Sequence, residues 1–211
     1  TGYGLVVVPM LYLLTDAFAK KLCAFAQNGG AVIVTYWSGV VDESDLCRLG
    51  DTPYGLTELL GLRRTEIDGM YDGETRRCMP VAGCTLPAAQ ASTLCEVAAL
   101  NEKDPAEPLS LYDEDYFAGH PAVAVHRYGK GRAYYLASRF DEAFYRAFYH
   151  DAAKEIGLSP AWPEALPEGV LAVRRGSFVF VQNCTEQPAT VGNTVLDRYR
   201  TAVWKGKDRI F

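Results

Sequence analysis

The feature that most restricts the possible folds of this chain is a strand, helix, strand pattern in its first 36 residues. A β-branched run, Leu5 to Val8, is followed by an amphipathic segment and then by a second apolar run, Ala31 to Tyr36. Continuous apolar runs of this length are typical of strands that are covered on both faces. Two strands joined through one helix lie parallel in the same sheet. The sequence therefore predicts an α/β fold built on a parallel sheet.

The segment between these two strands has the caps and the periodicity of an α-helix. Thr15 or Asp16 can accept a hydrogen bond from the first free backbone N–H groups. Apolar residues at helical spacing predict the face that packs on the sheet: Phe18, Leu22 and Phe25. The sequence Asn28-Gly29-Gly30 ends the helix, since glycine readily adopts the left-handed conformation found after helix C-termini.

The same domain ends in a hairpin and a second long helix. Val123 to Tyr128 and Arg132 to Ser138 flank the turn sequence Gly129-Lys130-Gly131, which predicts two antiparallel strands. Asp141 is a suitable N-cap for the helix, whose apolar residues follow at four-residue spacing: Phe144, Phe148, Ala152 and Ile156. A short helix is also predicted at 57–60, with strand-like pieces between residues 62 and 100.

A proline-rich stretch predicts a domain boundary. Pro160, Pro163 and Pro167 lie between Gly157 and Gly169, a composition typical of linkers. Three short strands are predicted beyond it: Val170 to Val173, Phe178 to Val181 and Ala189 to Val195. The predicted organisation is an α/β domain at 1–158, a linker at 159–169 and a small all-β domain at 170–211.

The composition excludes several classes of partner. The 211 residues include 21 basic and 26 acidic side chains, giving a net charge of -5 and a pI near 5.3. That charge balance provides no field to hold nucleic acid or an anionic membrane surface, and no apolar run approaches the roughly 20 residues that span a bilayer. The six cysteines are scattered without metal-ligand spacing, which favours a reducing cytosol.

The turn after the second strand is where a nucleophilic enzyme of the α/β type would place its serine or cysteine. The sequence there is Tyr36-Trp37-Ser38-Gly39. Ser38 lacks the first glycine of the hydrolase motif, and a polar loop follows it instead of a helix. A hydrogen-bonded loop hydroxyl therefore explains Ser38 better than a nucleophile does.

The loop that follows is acidic, with Asp42, Glu43 and Asp45 in four residues. Glycoside cleavage needs two carboxylates that face each other across a sugar, whereas adjacent acids in a polar loop are more simply explained as solvated charge or as ion pairs. Arg48 or a neighbouring subunit could supply the cation. The candidate site, as an interface or as an approach to an active site, is therefore Tyr36, Trp37, Ser38, Asp42, Glu43, Asp45 and Arg48.

The histidines do not form a metal site by spacing. His120, His126 and His150 are far apart in the sequence and lack the short intervals typical of zinc ligands. We predict structural or surface roles for them, and we predict neither a metal nor a cofactor.

Three stretches resemble one known family. The run YGLVVVPMLYLLTDAFAKKLCAFAQNGGAVIVTYWSGVVDESDLCRLG resembles the trimerisation domain of the family 42 glycoside hydrolases, the bacterial β-galactosidases, and TYWSGVVDESD is its most specific part. The later run YGKGRAYYLASRFDEAFYRAF is similar to the closing hairpin and helix of that domain. The run LPEGVLAVRRGSFVFVQNCTEQ is similar to the start of the family's C-terminal β domain.

This resemblance implies a flavodoxin-like or class I glutamine amidotransferase-like domain, followed by a small β domain, in a protein of the bacterial cytoplasm. It implies a homotrimer whose parent protein hydrolyses terminal β-D-galactosides in carbohydrate metabolism. The family's catalytic glutamates belong to an N-terminal TIM barrel, which would be the partner of this region in the parent. No segment here resembles that barrel, so the resemblance assigns no catalytic residue to this chain.

Two alternative functions remain open at this point. The α/β domain could be a stand-alone amidotransferase-like or esterase-like enzyme that uses Ser38 or a cysteine. The terminal β domain could be a carbohydrate-binding module with Phe178, Phe180 and Trp204 as stacking platforms. Alternating inward packing is the simpler explanation for Phe178 and Phe180.

Overall fold

The computed structural model describes residues 2–47, 52–206 and 208–209. The chain divides into two compact units, residues 1–156 and residues 157–211. Within the described ranges, no helix combines the length and the apolar character needed to cross a membrane.

The described residues of the first unit form three helices and nine strands. In chain order they are β1 (Leu5–Val8), α1 (Asp16–Gln27), β2 (Ala31–Thr35), α2 (Thr57–Leu60), β3 (Leu62–Gly69), β4 (Arg76–Pro80), β5 (Ala89–Leu100), β6 (Glu107–Tyr112), β7 (Pro121–Tyr128), β8 (Gly131–Leu136), β9 (Ser138–Phe140) and α3 (Glu142–Glu155).

All nine strands belong to one mixed sheet. Its order is β1-β2-β8-β7-β6-β4-β5-β3, and β9 pairs with β5. The β1–β2 pair is parallel, as the strand, helix, strand pattern predicts. The β2–β8 pair is parallel as well. The remaining pairs are antiparallel. The α/β class is confirmed, with the parallel part confined to three strands and extended by an antiparallel region.

The helix α1 begins where its cap predicts, but its buried face is shifted. Thr15 Oγ1 accepts a hydrogen bond from Phe18 N at 3.3 Å. The buried residues are Ala19, Leu22 and Ala26, whereas Phe18 is exposed. The prediction of Phe18 as a core residue was wrong, because small alanines let the helix lie close to the sheet and leave the larger ring at its margin.

The closing hairpin and α3 agree with the predicted elements. β7 and β8 pair antiparallel across residues 129–130, and a Cβ on Gly131 would lie only 2.1 Å from the carbonyl oxygen of Gly30. Asp141 Oδ1 accepts a hydrogen bond from Phe144 N at 3.0 Å and caps α3. The apolar face of α3 packs on the sheet through Phe144, Phe148 and Ala152.

The second unit is built from strands alone in its described residues. Its elements are β10 (Val170–Arg175), β11 (Phe178–Asn183), β12 (Ala189–Val191), β13 (Thr194–Leu196), β14 (Thr201–Lys205) and β15 (Asp208–Arg209). They form a four-stranded sheet, β10-β11-β14-β15, and a β12–β13 hairpin. The prediction of a single strand from Ala189 to Val195 was wrong, because the chain reverses at Gly192, whose φ is +56°.

Candidate functional site

The candidate site lies at the carboxyl ends of β1 and β2. Because these strands are parallel, the segments that leave them emerge at the same edge of the sheet. Gly39 N donates to Leu11 O at 2.9 Å, and Val40 N donates to Tyr12 O at 2.9 Å. The two segments therefore run side by side and place Tyr36, Trp37 and Ser38 against residues 9–14.

Ser38 is buried and its hydroxyl hydrogen-bonds to the backbone. The residue is only 1% exposed. The Oγ accepts a hydrogen bond from Leu11 N at 3.1 Å and donates to Val8 O at 3.4 Å. No histidine in the described part of the chain hydrogen-bonds to it. This arrangement ties the ends of β1 and β2 together, and the hydroxyl proton is donated to a backbone carbonyl and not to a catalytic base.

Trp37 has a backbone conformation that few large residues adopt. Its φ is +60°, in the left-handed region. The half-buried indole ring stacks on Tyr12, with ring centroids 6.1 Å apart and planes at 25°. The Trp37 N–H donates to Glu96 Oε1 at 3.0 Å. An unfavourable φ of this kind persists only where the surroundings fix it, and the Glu96 contact is one such restraint.

Glu96 is the centre of a buried polar cluster that links three strands to this turn. Arg64 Nη1 donates to Glu96 Oε1 at 2.7 Å, and Tyr135 OH donates to Glu96 Oε2. Arg64 Nη1 also donates to Ser38 O at 3.4 Å. Glu96 is completely buried and the Arg64 side chain is 4% exposed. The two members of this ion pair therefore fix the turn, because Glu96 binds the backbone N–H of Trp37 and Arg64 binds the carbonyl of Ser38.

Burial raises the pKa of the Glu96 carboxyl, although Arg64, the Tyr135 hydroxyl and the Trp37 N–H all favour the ionised form. Burial likewise raises the pKa of Tyr135 well above its ordinary value. Sequence reasoning missed Glu96 and Arg64. The available signal was a single acid inside the apolar run Leu94-Cys95-Glu96-Val97-Ala98, which requires a buried partner.

The acidic loop turns around its first carboxylate. Asp42 Oδ1 accepts hydrogen bonds from Ser44 N at 2.8 Å and from Leu46 N at 3.1 Å. Glu43 and Asp45 are exposed, and Asp45 has a φ of +61°. Asp42 thus shapes the loop, while the other two acids project into solvent. The remaining candidate, Arg48, lies outside the described residues.

An exposed apolar surface adjoins this loop. We define the β1-end surface as Met10, Tyr12, Leu13, Trp37 and Leu46. Four of these are 40–63% exposed: Met10, Tyr12, Leu13 and Leu46. Backbone pairing brings the segments that carry these residues together, since Leu13 pairs with Val41, which pairs with Cys47. Contiguous exposed apolar residues of this kind are typical of interaction sites. Tyr36 itself is buried, and that burial raises its pKa.

Two of the three histidines lie within hydrogen-bonding distance of backbone carbonyls. His126 Nδ1 lies 3.0 Å from Leu59 O, and His120 Nδ1 lies 3.1 Å from Ala98 O. Among the residues described, no three histidine, cysteine, aspartate or glutamate side chains are grouped as metal ligands.

The aromatic residues of the second unit are arranged differently from the sequence expectation. Trp204 is buried and packs edge-to-face on Trp162, with centroids 5.0 Å apart. Phe178 and Phe180 are 36% and 37% exposed. The prediction of inward packing for both phenylalanines was wrong, because Trp204 belongs to the inward-facing set and Phe180 lies opposite Val203 on the other face.

Comparison with known proteins agrees with these features. Residues 1–159 match the family model described as the β-galactosidase trimerisation domain. The β-galactosidase BglY of Alicyclobacillus acidocaldarius is 44% identical over 197 residues, which cover 90% of this chain and 28% of that protein. The β-galactosidase Pbg of Clostridium perfringens is 35% identical over 202 residues, covering 92% of this chain and 29% of that protein.

Solved structures give the same result. A cold-adapted β-galactosidase from Rahnella sp. R3 superposes with a TM-score of 0.86 at 38% identity, covering 96% of this chain and 32% of that one. A β-galactosidase from the haloarchaeon Halorubrum lacusprofundi has a TM-score of 0.83 at 26% identity, covering 99% of this chain and 32% of that one. The chain therefore spans less than a third of the length of these relatives.

Proposed function

Since the chain belongs to the family of β-galactosidase trimerisation domains, we propose that its first unit assembles a homotrimeric β-galactosidase whose catalytic residues lie outside this chain. The observation that carries the proposal is the β1-end surface beside the acidic loop. A cyclic trimer buries such a surface on each copy against a different surface of the next copy.

The rigidity of this surface supports an assembly role. A protein interface gains affinity when its side chains are already ordered before binding. Trp37 is held by Glu96 and stacked on Tyr12, while Asp42 closes the loop that carries Leu46. Glu43 and Asp45 would then contribute charge at the rim, where a neighbouring copy or its active site supplies the opposite charge.

The chemistry of the turn supports the loss of an enzymatic site. Trp37 occupies the sharp left-handed position after β2, where an amidotransferase-like or esterase-like domain would carry its nucleophile. A tryptophan offers no nucleophilic atom there, and the Ser38 hydroxyl is buried. We therefore propose an amidotransferase-like ancestry without the corresponding activity.

The parent protein is proposed to hydrolyse terminal β-D-galactosides in the cytoplasm. The relatives named above are β-galactosidases. The parent would contribute its own N-terminal TIM barrel, with residues 1–158 as the assembly domain, 159–169 as a linker and 170–211 as the β domain. The cysteines are free thiols, which suits a reducing compartment.

Size-exclusion chromatography with light scattering tests the assembly proposal. As its concentration rises, the chain should approach three times the 23.2 kDa mass of one copy. The full-length parent should likewise approach three times its own mass. Leu46→Glu should shift both toward monomer, whereas Leu158→Glu, an exposed leucine in the other unit, should not. A parent that stays monomeric at every concentration contradicts the proposal.

Activity measurements test the rest. The purified chain should release no galactose from a chromogenic β-galactoside, and the parent should release it. Release by the chain, abolished by replacing one of its own carboxylates, would contradict a purely structural role.

A further inference from the structure

One buried side-chain atom of the first unit lacks a hydrogen-bond partner. Among the described residues, His126 Nε2 is the only buried side-chain nitrogen or oxygen of this kind. The residue lies on β7 and is 4% exposed. Buried polar atoms in proteins are normally paired, so an unpaired one indicates a binding partner other than the protein's own hydrogen-bonding groups.

The contact of the other ring nitrogen fixes the tautomer. His126 Nδ1 lies 3.0 Å from the carbonyl oxygen of Leu59, which can only accept a hydrogen bond, so Nδ1 carries a proton. In the neutral ring, Nε2 then presents a lone pair. Asp104 Oδ2, which is also an acceptor, lies 3.3 Å from Nε2. Two acceptors this close together, with no hydrogen bond between them, need a cation that both can bind.

The separation of these two atoms matches that of two ligands on one tetrahedral metal ion. Zinc binds histidine nitrogen and carboxylate oxygen at about 2.0–2.1 Å, which places two tetrahedral ligands about 3.3–3.4 Å apart. Each ligand then lies to the side of the other's lone-pair direction, in agreement with the absence of a hydrogen bond between Nε2 and Asp104. Histidines that bind metals also typically donate their second ring N–H to a carbonyl or carboxylate, as His126 does to Leu59.

The fold holds both groups in position without help from an ion. Gly61 O accepts hydrogen bonds from Asn101 N at 3.0 Å and from Ala106 N at 2.9 Å, which closes the loop that carries Asp104. Gly61 also packs against the imidazole, since a Cβ at this position would lie 2.6 Å from His126 Cδ2. A site whose ligands are fixed in this way binds an ion without having to order a loop first.

The cavity beside the ring has space and charge for a hydrated cation. Its volume is about 270 Å³, whereas one water molecule takes up about 30 Å³ of the liquid. Among the side chains that line it, Arg132 forms an ion pair with Glu155. Arg127 is then set against two carboxylates, Asp104 and Glu107. With a neutral imidazole, the lining therefore has a net negative charge, which attracts cations.

We propose that His126 Nε2 and the Asp104 carboxylate bind one divalent transition-metal ion of the zinc class, with water completing its coordination. Imidazole and carboxylate together suit zinc, whereas magnesium prefers a shell of oxygens alone. No third histidine, cysteine, aspartate or glutamate of the described residues completes the group, so the ion binds reversibly and more weakly than in a four-ligand structural site. The Asp104 side chain is 81% exposed, which leaves the water positions open to solvent. The bound ion fastens the loop 101–106 to β7.

Zinc titration by isothermal calorimetry tests the site. The background chain carries Cys47→Ser and Cys184→Ser, which removes the two exposed thiols that would bind zinc elsewhere. One zinc ion should bind per chain, and an equal concentration of magnesium should not compete. Asp104→Asn should weaken zinc binding at least about tenfold, and His126→Gln should abolish it. Zinc should also raise the urea midpoint of the background chain, and by less in Asp104→Asn.

An exposed histidine–aspartate pair supplies the matched control. His150 Nδ1 lies 3.2 Å from Asp151 Oδ1, and the His150 side chain is 75% exposed. His150→Gln should leave zinc binding unchanged. If His126→Gln fails to fold, Asp104→Asn still decides the question, because it alters an exposed carboxylate without changing its size.

Ring ¹⁵N NMR distinguishes the metal site from a simple ion pair. A neutral imidazole with its proton on Nδ1 gives two well-separated ¹⁵N resonances, whereas an imidazolium gives two similar ones. We expect separated resonances for His126 at neutral pH and a shift of Nε2 when zinc is added. Similar resonances before zinc is added would mean that a proton joins the ring to Asp104, and the proposal would then be wrong. It would also be wrong if zinc did not bind, if Asp104→Asn left binding unchanged, or if His150→Gln weakened it as much.

Discussion

The replacement of Arg64 by methionine is the sharpest test of how the candidate site is held. Arg64 is the only basic side chain that forms a salt bridge with the buried Glu96 in the described structure, at 2.7 Å. Methionine keeps most of the volume and removes the charge. Glu96 then remains completely buried, with hydrogen bonds from the Trp37 N–H and from the Tyr135 hydroxyl but without a counter-charge.

The expected loss at neutral pH is about 3–5 kcal/mol, the usual cost of leaving one member of a buried ion pair uncompensated. The cost must depend on pH. Burial already raises the pKa of Glu96, and Arg64 is the main influence that lowers it. Without Arg64 the folded-state pKa rises further above the unfolded value near 4.3. The folded protein then holds its proton to a higher pH, so stability is lost as pH rises between those two pKa values.

Urea denaturation at several values between pH 5 and pH 8 measures this effect. Labelling with 5-fluorotryptophan gives each of the three tryptophans its own ¹⁹F resonance. Trp37 is the one in the first unit, so its resonance follows the unfolding of that unit. Arg64→Met should lose more stability at pH 8 than at pH 5. Adding Glu96→Gln should restore most of the loss at pH 8, because a neutral amide has no charge to bury.

Arg77→Met is the matched control. Arg77 pairs with Asp113 at 2.5 Å, but its side chain is 56% exposed, and exposed pairs contribute about 0–1 kcal/mol. The reasoning is refuted if the Arg64→Met loss is the same at pH 5 and pH 8, or if Glu96→Gln in that background restores nothing.

Three further predictions concern single positions in the first unit. Asp141→Ala should lower stability by about 1 kcal/mol through loss of the α3 cap, and Asp141→Asn by less, as measured by urea denaturation. Burial acts to raise the pKa of Asp141, but backbone N–H donors outweigh it and lower the pKa. The stabilisation by the Asp141 carboxylate should therefore disappear as pH falls below about 4. Burial raises the pKa of Cys78 to about 12, so iodoacetamide at pH 8 should modify Cys78 far more slowly than the exposed Cys47. Gly131→Ala should cost about 1–3 kcal/mol, because the added Cβ has no space, whereas Gly69→Ala, with nothing within 4 Å, should be nearly neutral.

The elements predicted from the sequence are those whose signals are local. The parallel pair β1–β2, the caps at Thr15 and Asp141 and the turn before Gly131 each depend on residues within about a dozen positions. The antiparallel extension of the sheet could not be predicted in this way. Its strands pair β4 with β6 and β5 with β9, and the choice of partner depends on contacts between segments far apart in the chain.

The same limit explains why the candidate site was found only in part. The sequence located the turn at Trp37 and the acidic loop, since both follow directly from the end of a predicted strand. It did not reveal Arg64 and Glu96, which are 32 residues apart and meet only because β3 pairs with β5.

Strand alternation has a related ambiguity, since it does not say which face of a sheet is buried. This ambiguity affected the prediction for the aromatic residues of the second unit. Alternation predicts that Phe178 and Phe180 share a face with one another and not with Val179. It does not predict which face is covered, because that depends on where the second layer is supplied. The β12–β13 hairpin and Trp162 cover the Trp204 side. Phe178 and Phe180 lie on the opposite face and stay more than a third exposed, so the expectation of inward packing failed on the choice of the covered face and not on the alternation.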